Sequence, residues 1–253
     1  MTPLLHTSQI AKRFAGIAAL SDVSLDIGVG ERVGLIGPNG AGKTTFFNCL
    51  SGLTRIDSGS ITFDGRDLDG VAMHARARLG IARTFQRMEL FNGMTVREHL
   101  LVADRARSRT GALWKDILTG AKVRPEEMRR VQDVLEFLDL ERDAERDVAA
   151  LSLGRCRIVE LARALMTQPK LLLLDEPSSG LDVGETEVVI ERLREVNQQR
   201  GIAILLVEHD VEMVRSLAQR VYVLDFGTLI ASGSTSDVFG DVNVQRAYLG
   251  APS

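Results

Sequence analysis

Gly37-Pro38-Asn39-Gly40-Ala41-Gly42-Lys43-Thr44-Thr45 decides the fold of this chain, because it satisfies G-x-x-x-x-G-K-[ST] between an apolar run and a helical run. Arg32 to Ile36 supply a buried strand, and the glycines let backbone N–H groups curl around an anion. Thr44 to Leu50 begin a helix whose positive end faces that anion. On this reading Lys43 reaches the β- and γ-phosphates of a nucleotide and Thr44 a Mg²⁺. A chance glycine-rich turn is the competing reading, and the order strand, loop, Lys-Thr, helix argues against it. The loop alone specifies neither the nucleotide nor what is done with it.

Upstream, residues 3 to 30 mix short alternating segments such as Val23, Leu25 and Ile27 with Gly16, Gly28 and Gly30, which predicts antiparallel strands and tight turns. Downstream, Gly59 to Gly65 reads as a strand and turn, Asp67 to Leu79 as a connector and helix, and Ile81 to Phe85 as a strand ending at Gln86. From Thr95 to about Leu138 the pattern turns helical, interrupted by the polar stretch Arg105 to Pro125 with the only tryptophan, Trp114. Leu151-Ser152-Leu153-Gly154 precedes Ile158, Leu161, Ala162 and Leu165 at helical spacing, so Ser152 and Gly154 lie at or just before a helix N-terminus. Leu171 to Leu174 form a short apolar run after Pro169, and its length favours a central parallel strand over a buried helix. Helix at Glu185 to Asn197, strand at Ile202 to Val207 and helix from Asp210 continue the alternation. Val221 to Asp225 and Thr228 to Ala231 pair through Phe226-Gly227.

A chain of 253 residues with 45% hydrophobic content suits one large α/β domain or two small ones. Its net charge of −3 argues against nucleic acid as a partner. Charge is uneven: Val71 to Arg130 carry 13 Lys/Arg against 6 Asp/Glu, a local +7 that leaves −10 elsewhere. Two readings fit, a solvated helical face or a surface beside anionic lipid headgroups or an acidic partner. Cys49 and Cys156 are far apart and lack metal-ligand spacing, which suits a reducing compartment. The N-terminus lacks the pattern of a signal peptide, and no apolar run approaches the roughly 18 residues of a membrane span. If the protein works at a membrane, other chains hold it there.

The chemistry concentrates where the leucine strand ends. Asp175 can hold a Mg²⁺ shell, and Glu176, one residue on, can orient and deprotonate an attacking water. Adjacent acids at a strand end are commonly surface charge; behind a leucine strand in a P-loop protein the catalytic reading prevails. His209 closes another apolar strand and can contact a γ-phosphate, although alone it reads as a solvated loop histidine. Asp225-Phe226-Gly227 spells a kinase Mg²⁺ motif without the rest of that machinery and reads as a hairpin turn.

Nearly the whole chain resembles the nucleotide-binding subunits of ATP-binding cassette (ABC) transporters. Phe14 matches the aromatic that stacks on adenine, Gly37 to Thr45 the Walker A loop, and Gln86 the Q-loop glutamine that senses Mg²⁺ and water. Leu151 to Arg155 match the signature and Leu171 to Glu176 the Walker B strand with its catalytic glutamate. Ser179 to Asp182 match the D-loop and His209 the switch histidine. The resemblance implies an α/β P-loop NTPase core with a mainly parallel sheet, an N-terminal antiparallel β subdomain and an inserted helical subdomain over about 87–168, all in one domain of 1–253.

Arg83-Thr84-Phe85-Gln86, Leu90-Phe91, Met94-Thr95-Val96 and Leu100 to Ala103 look like the ATPase subunits of branched-chain amino acid importers, as do the Arg105 to Pro125 insertion and the ending Arg246 to Gly250. The insertion points to the longer of two sister ATPases; similar subunits serve amides, urea and aromatic acids. The implied partners are a second ATPase subunit, two transmembrane permease subunits and, indirectly, an extracytoplasmic substrate-binding protein, with the chain peripheral on the cytoplasmic face. The implied cofactors are ATP and Mg²⁺. One departure stands out: Leu153 and Arg155 replace a glycine and the glutamine of the family's LSGGQ. Ser152 and Gly154, which would meet the partner's γ-phosphate through hydroxyl and backbone N–H, are retained. A soluble ABC-type clamp on DNA or ribosomes is the rival class, disfavoured because the chain has neither a second cassette nor a long coiled coil. A regulatory module without hydrolysis would be expected to lose Glu176 or His209. Finally, Cys156, flanked by Arg155 and Arg157 at a helix start, is expected to favour thiolate, with a buried packing cysteine as the alternative.

Overall fold

A computed structural model describes residues 2–84, 90–108, 123–241 and 244. Gln86, Phe85, Arg109, Trp114 and the 246–250 ending therefore lie outside the described residues. Strands from both sides of the phosphate loop build an antiparallel sheet, β1 (Leu5–Phe14) and β2 (Ile17–Ile27) upstream, β4 (Ser58–Phe63) and β5 (Arg66–Asp67) downstream, in the order β2-β1-β4-β5. A second sheet holds β3 (Arg32–Ile36), β6 (Ile81–Arg83), β7 (Leu171–Asp175), β8 (Ala203–Val207), β9 (Arg220–Asp225) and β10 (Thr228–Ser234). Its order is β10-β9-β3-β8-β7-β6, parallel throughout except for the β9–β10 hairpin.

Between these strands run α1 (Lys43–Ser51), α2 (Met73–Leu79), α3 (Val96–Ser108), α4 (Pro125–Phe137), α5 (Leu153–Met166), α6 (Val183–Arg200), α7 (Val211–Leu217) and α8 (Thr235–Gly240). Their starts follow local chemistry. Ser152 caps α5 by accepting from Arg155 N–H, Asp182 caps α6 by accepting from Glu185 N–H, and α6 stops at Gly201 in the left-handed region.

Both faces of the parallel sheet are covered, which explains why β7 and β8 read as unbroken apolar runs. Period-two geometry sorts each strand. Leu171, Leu173, Ala203, Leu205, Tyr222 and Leu224 face a core shared with α1 and the antiparallel sheet. Leu172, Leu174, Ile204, Leu206, Val221 and Val223 face a core shared with Val96 and Leu100 of α3, Val131 and Val134 of α4, and Ile158 and Leu161 of α5. The sheet's carboxyl ends, where Ile36, Asp175 and Val207 stop, therefore open at one rim.

Part of the basic stretch is tied inward, where two of its arginines meet buried carboxylates. Arg105 is buried and forms a salt bridge with Glu127 at 3.1 Å, and Arg130 meets the wholly buried Asp104 with two hydrogen bonds of 2.8 and 2.6 Å. Arg105 and Arg130 are thus interior ties between α3 and α4, not a free docking charge. Among the described residues no helix is long and apolar enough to cross a membrane.

Candidate nucleotide-binding site

The loop after β3 needs its glycines. Gly37, Gly40 and Gly42 have φ of 153°, 82° and 105°; a Cβ on Gly37 would lie 2.0 Å from Leu224 O, and one on Gly42 2.5 Å from Ala19 O. The backbone is thereby pressed against the sheet and leaves a cradle at the α1 N-terminus. Lys43 Nζ curls over it, donating to Gly37 O at 2.7 Å and Pro38 O at 2.9 Å. Asn39, Gly40 and Thr44 are exposed at the rim, Pro38 and Thr45 half-buried, and Ala41 buried beneath. Phe14, at the tip of the β1–β2 hairpin, keeps 49% of its surface exposed with Lys12 Nζ 5.3 Å from its ring centroid. An exposed ring held in place is suited to receive a base.

Burial pulls the Lys43 ammonium below its ordinary pKa, opposed by the Glu176 and Asp175 carboxylates, so loop and strand-end acids share one field. Asp175 Oδ2 accepts from Arg83 Nη2 at 2.8 Å, which fixes the carboxylate next to α1, where Arg83 Nη1 also reaches Asn48 Oδ1. Glu176 adopts φ 49°, a left-handed conformation costing about 1–2 kcal/mol for a non-glycine residue. The turn is held by Glu176 N–H to Val207 O at 2.9 Å and Ser179 N–H to Glu176 O at 3.1 Å. It brings Glu176 Oε1 to 3.7 Å from His209 Nδ1, with the carboxylate 22% and the imidazole 62% exposed. A carboxylate shielded on one side and open to a mobile-proton partner on the other can take a proton from water.

The structure thus brings together Lys43, Asp175, Glu176 and His209. Ser152, Gly154 and Asp182 form a separate corner: Ser152 Oγ accepts from Arg155 N–H at 3.3 Å, Asp182 caps α6, and Gly154 N–H donates to Glu185 Oε1 at 3.1 Å. The expected phosphate donor of Gly154 is therefore already engaged within the chain. Arg155, in the glutamine's place, turns away to Asp143, whose other oxygen takes Arg146. Leu153 packs toward Gly180, where an added Cβ would meet its Cδ2 at 3.0 Å. The thiolate expectation for Cys156 is overturned. The thiol is only 6% exposed, and burial, the dominant effect, raises its pKa despite Arg157.

Glu208 is the residue that the sequence reading missed. It is 0% exposed, yet its carboxylate accepts from Ser178 N–H at 2.9 Å, Ser178 Oγ at 2.5 Å, and His209 N–H at 3.1 Å. It ties the segment after Glu176 to the start of the histidine turn. The available signal was a carboxylate closing an apolar strand beside His209.

An anion cradle at the carboxyl rim of a parallel sheet makes this a P-loop nucleotide-binding α/β protein. Known proteins sharpen that class. Residues 20–179 match the family described as ABC transporter. The high-affinity branched-chain amino acid transport ATP-binding protein LivG of Salmonella typhimurium is 41% identical over 250 residues, 98% of each chain. The ADP conformation of an ATP-binding cassette of an ABC transporter superposes with a TM-score of 0.86 at 32% identity, covering 99% of this chain and 100% of that one. A dimeric ATP-binding cassette in a post-hydrolysis state bound to ADP and Pi gives 0.74 at 25% identity, covering 91% and 98%. The chain belongs to the ABC transporter family.

Proposed function

We propose that this chain is the ATP-hydrolysing engine of an importer for branched-chain or other hydrophobic amino acids. It would sit on the cytoplasmic face of the membrane, against two permease subunits fed by an extracytoplasmic binding protein. The observation that carries the reading is the convergence of Lys43, Asp175, Glu176 and His209 at one rim beside the glycine cradle. In the proposed mechanism the loop N–H groups and Lys43 hold the β- and γ-phosphates and Phe14 stacks on adenine. The chemistry of the donors suits Mg²⁺, since the Thr44 hydroxyl and the Asp175 carboxylate are the hard oxygen ligands such an ion takes alongside phosphates. Bound there, Mg²⁺ would neutralise phosphate charge. Glu176 takes the proton of the attacking water, whose oxygen bonds to the γ-phosphorus as the bond to ADP breaks. His209 steadies the carboxylate and the γ-phosphate. Gln86 serves as the sensor of water and Mg²⁺.

Two such subunits would sandwich two ATP molecules, each site completed by Ser152 and Gly154 of the other chain, with Asp182 in the adjoining D-loop. The helical segment over about 87–168 acts as the inserted subdomain that follows the permeases. Closure on ATP and reopening after hydrolysis would drive the permeases between inward- and outward-facing states. Replacing Glu176 by Gln is expected to cut phosphate release by roughly 10²- to 10⁴-fold while ATP binding persists. Near-normal turnover would remove Glu176 from the role of base. Co-purification with permeases from detergent-solubilised membranes, and loss of leucine uptake in cells lacking the chain, test the transport assignment. Recovery with ribosomes or DNA instead would favour the clamp.

A further inference from the structure

The first amides of a helix have no partner within it, and a carboxylate placed there is favoured by both hydrogen bonding and the helix dipole. At α5 that place is taken by Glu185, from the first turn of α6. Its Oε1 accepts from Gly154 N–H at 3.1 Å. The side chain also lies close over the glycine: a Cβ on Gly154 would lie 2.9 Å from Cγ, Cδ and Oε1 of Glu185 alike. We propose that Glu185 is a built-in stand-in for phosphate, a carboxylate that occupies the Gly154 amide until the γ-phosphate of a partner-bound ATP displaces it.

This rests on the reading that Gly154 meets the partner's ATP, and it adds a gate to that encounter. Three features make the gate workable. The backbone of Glu185 is anchored, since its N–H donates to Asp182 Oδ1 at 2.8 Å, so only the side chain has to move. Val183 and Gly184 beside it are exposed, which gives the carboxylate an exit to water. Like charge drives it out, because a phosphate at the Gly154 amide and a carboxylate within hydrogen-bonding reach of the same amide repel.

The latch also joins two working segments. Arg157 Nη2 donates to Ser179 O at 3.4 Å and Leu153 packs toward Gly180, so the signature helix meets the 179–182 turn at two points, and Glu185, just beyond that turn in α6, adds a third tie through Gly154 N–H. That turn begins with the Ser179 N–H bonded to Glu176 O. Release of Glu185 therefore removes one polar tie between the signature helix and α6, the helix that follows this turn.

The test uses the full chain with Glu176→Gln, in which ATP-bound dimers persist, and follows dimer formation against ATP concentration by analytical ultracentrifugation. Added Glu185→Ala is expected to lower the half-dimerising concentration about tenfold, the scale of one charge-assisted hydrogen bond. Glu185→Gln, which keeps an acceptor oxygen without charge, should fall between. Unchanged or raised half-points, with ATP binding to the monomer intact, overturn the latch while leaving the sandwich reading in place. No ATP-dependent dimer from Glu176→Gln, alone or with a sister ATPase, overturns the sandwich reading and the latch with it. Amide hydrogen exchange at Gly154 in the nucleotide-free monomer gives an independent readout: faster exchange in Glu185→Ala supports the contact, and equal exchange overturns it.

Discussion

The two faces of the parallel sheet are built on opposite principles. Toward α1 and the antiparallel sheet the interior is aromatic and aliphatic, with Phe46, Phe47 and Phe63 wholly buried, and its buried cations Lys43 and Arg76 are turned onto backbone carbonyls of Gly37, Cys49 and Leu68 rather than paired with buried carboxylates by hydrogen bonds. Toward α3, α4 and α5 the elements carry buried charge as well, Asp104, Arg105, Glu127, Asp143, Arg157 and Glu160, with His99 among them. A backbone-made cradle depends on few side chains and keeps its shape. A side-chain network has discrete partners that can be exchanged, which suits the side proposed to follow the permeases.

The largest expected effect lies in that network. Burial works to raise the Glu127 carboxyl, but hydrogen bonds from Arg105 and from Arg124 N–H outweigh it and hold its pKa below the ordinary value. Arg105→Ala would strand Glu127 and is expected to lower stability by about 3–5 kcal/mol, read as a shift in the urea midpoint. Replacing both partners, Arg105→Met with Glu127→Leu, should restore most of that loss apart from about 1 kcal/mol for the helix-start bond from Arg124. A cost below about 1 kcal/mol for the single variant would mean that the helical side is an ordinary solvated face and would erase the contrast.

Glu208 sharpens the contrast from the other direction, since it places a wholly buried carboxylate at the rim proposed to be catalytic. Glu208→Ala leaves Ser178 and the His209 amide without their acceptor, at an expected cost of about 1–3 kcal/mol. Turnover should fall about tenfold or more with ATP affinity unchanged, because the Glu176–His209 geometry loosens while the cradle does not. Parallel losses in affinity and turnover would instead show the cradle leaning on this network.

These differences track what was legible in the sequence. Glycine spacing around Lys43, the leucine strand before Asp175 and the Ser152 helix start are local patterns, and local geometry carried them into the structure almost unchanged. Arg105 reads as part of a basic surface stretch because its partner is distant in sequence, and of the two readings open for Cys156 the structure takes the buried one. Glu127 lies 22 positions from Arg105, and Val148, whose carbonyl receives the Cys156 thiol at 3.5 Å, belongs to a separate turn. Glu185 was legible as a helix residue but not as the occupant of Gly154, 31 positions away. Charge flanking a residue in sequence says little about the field it feels after folding.

A smaller effect is expected from His99. Its Nε2 accepts from Phe91 N–H at 2.9 Å, and its Nδ1–H donates to Thr95 O at 2.9 Å, so the buried ring is neutral. Burial lowers its pKa below 6.5, with Arg163 acting in the same sense and Thr95, Glu98 and Asp147 against. A depressed folded pKa gives stability that is complete above pH 6.5 and lost as pH falls toward the folded value. Stability should therefore decline as pH falls below about 6.5, and His99→Gln should flatten that decline. A decline of equal slope in the variant would assign it elsewhere.

The smallest effect concerns the two cysteines, both buried, Cys49 in α1 and Cys156 in α5. Cys49 lies on the buried face of α1 with Phe46, Phe47 and Leu50, and burial pushes its pKa up to about 11. Cys156 lies on the helical side, also raised by burial, with its thiol directed to Val148 O. Neither is poised as a thiolate, so alkylation of the folded chain should require local opening and run on the order of a hundredfold slower than in urea. The comparison of the two faces makes a finer demand: the helical side, held by exchangeable ion pairs, should open more readily, so Cys156 should acquire the adduct before Cys49. Timed alkylation read by mass spectrometry of peptides decides this. Rapid labelling of Cys156 would restore the activated thiol, and equal slow rates at both positions would show the two cores opening as one cooperative unit.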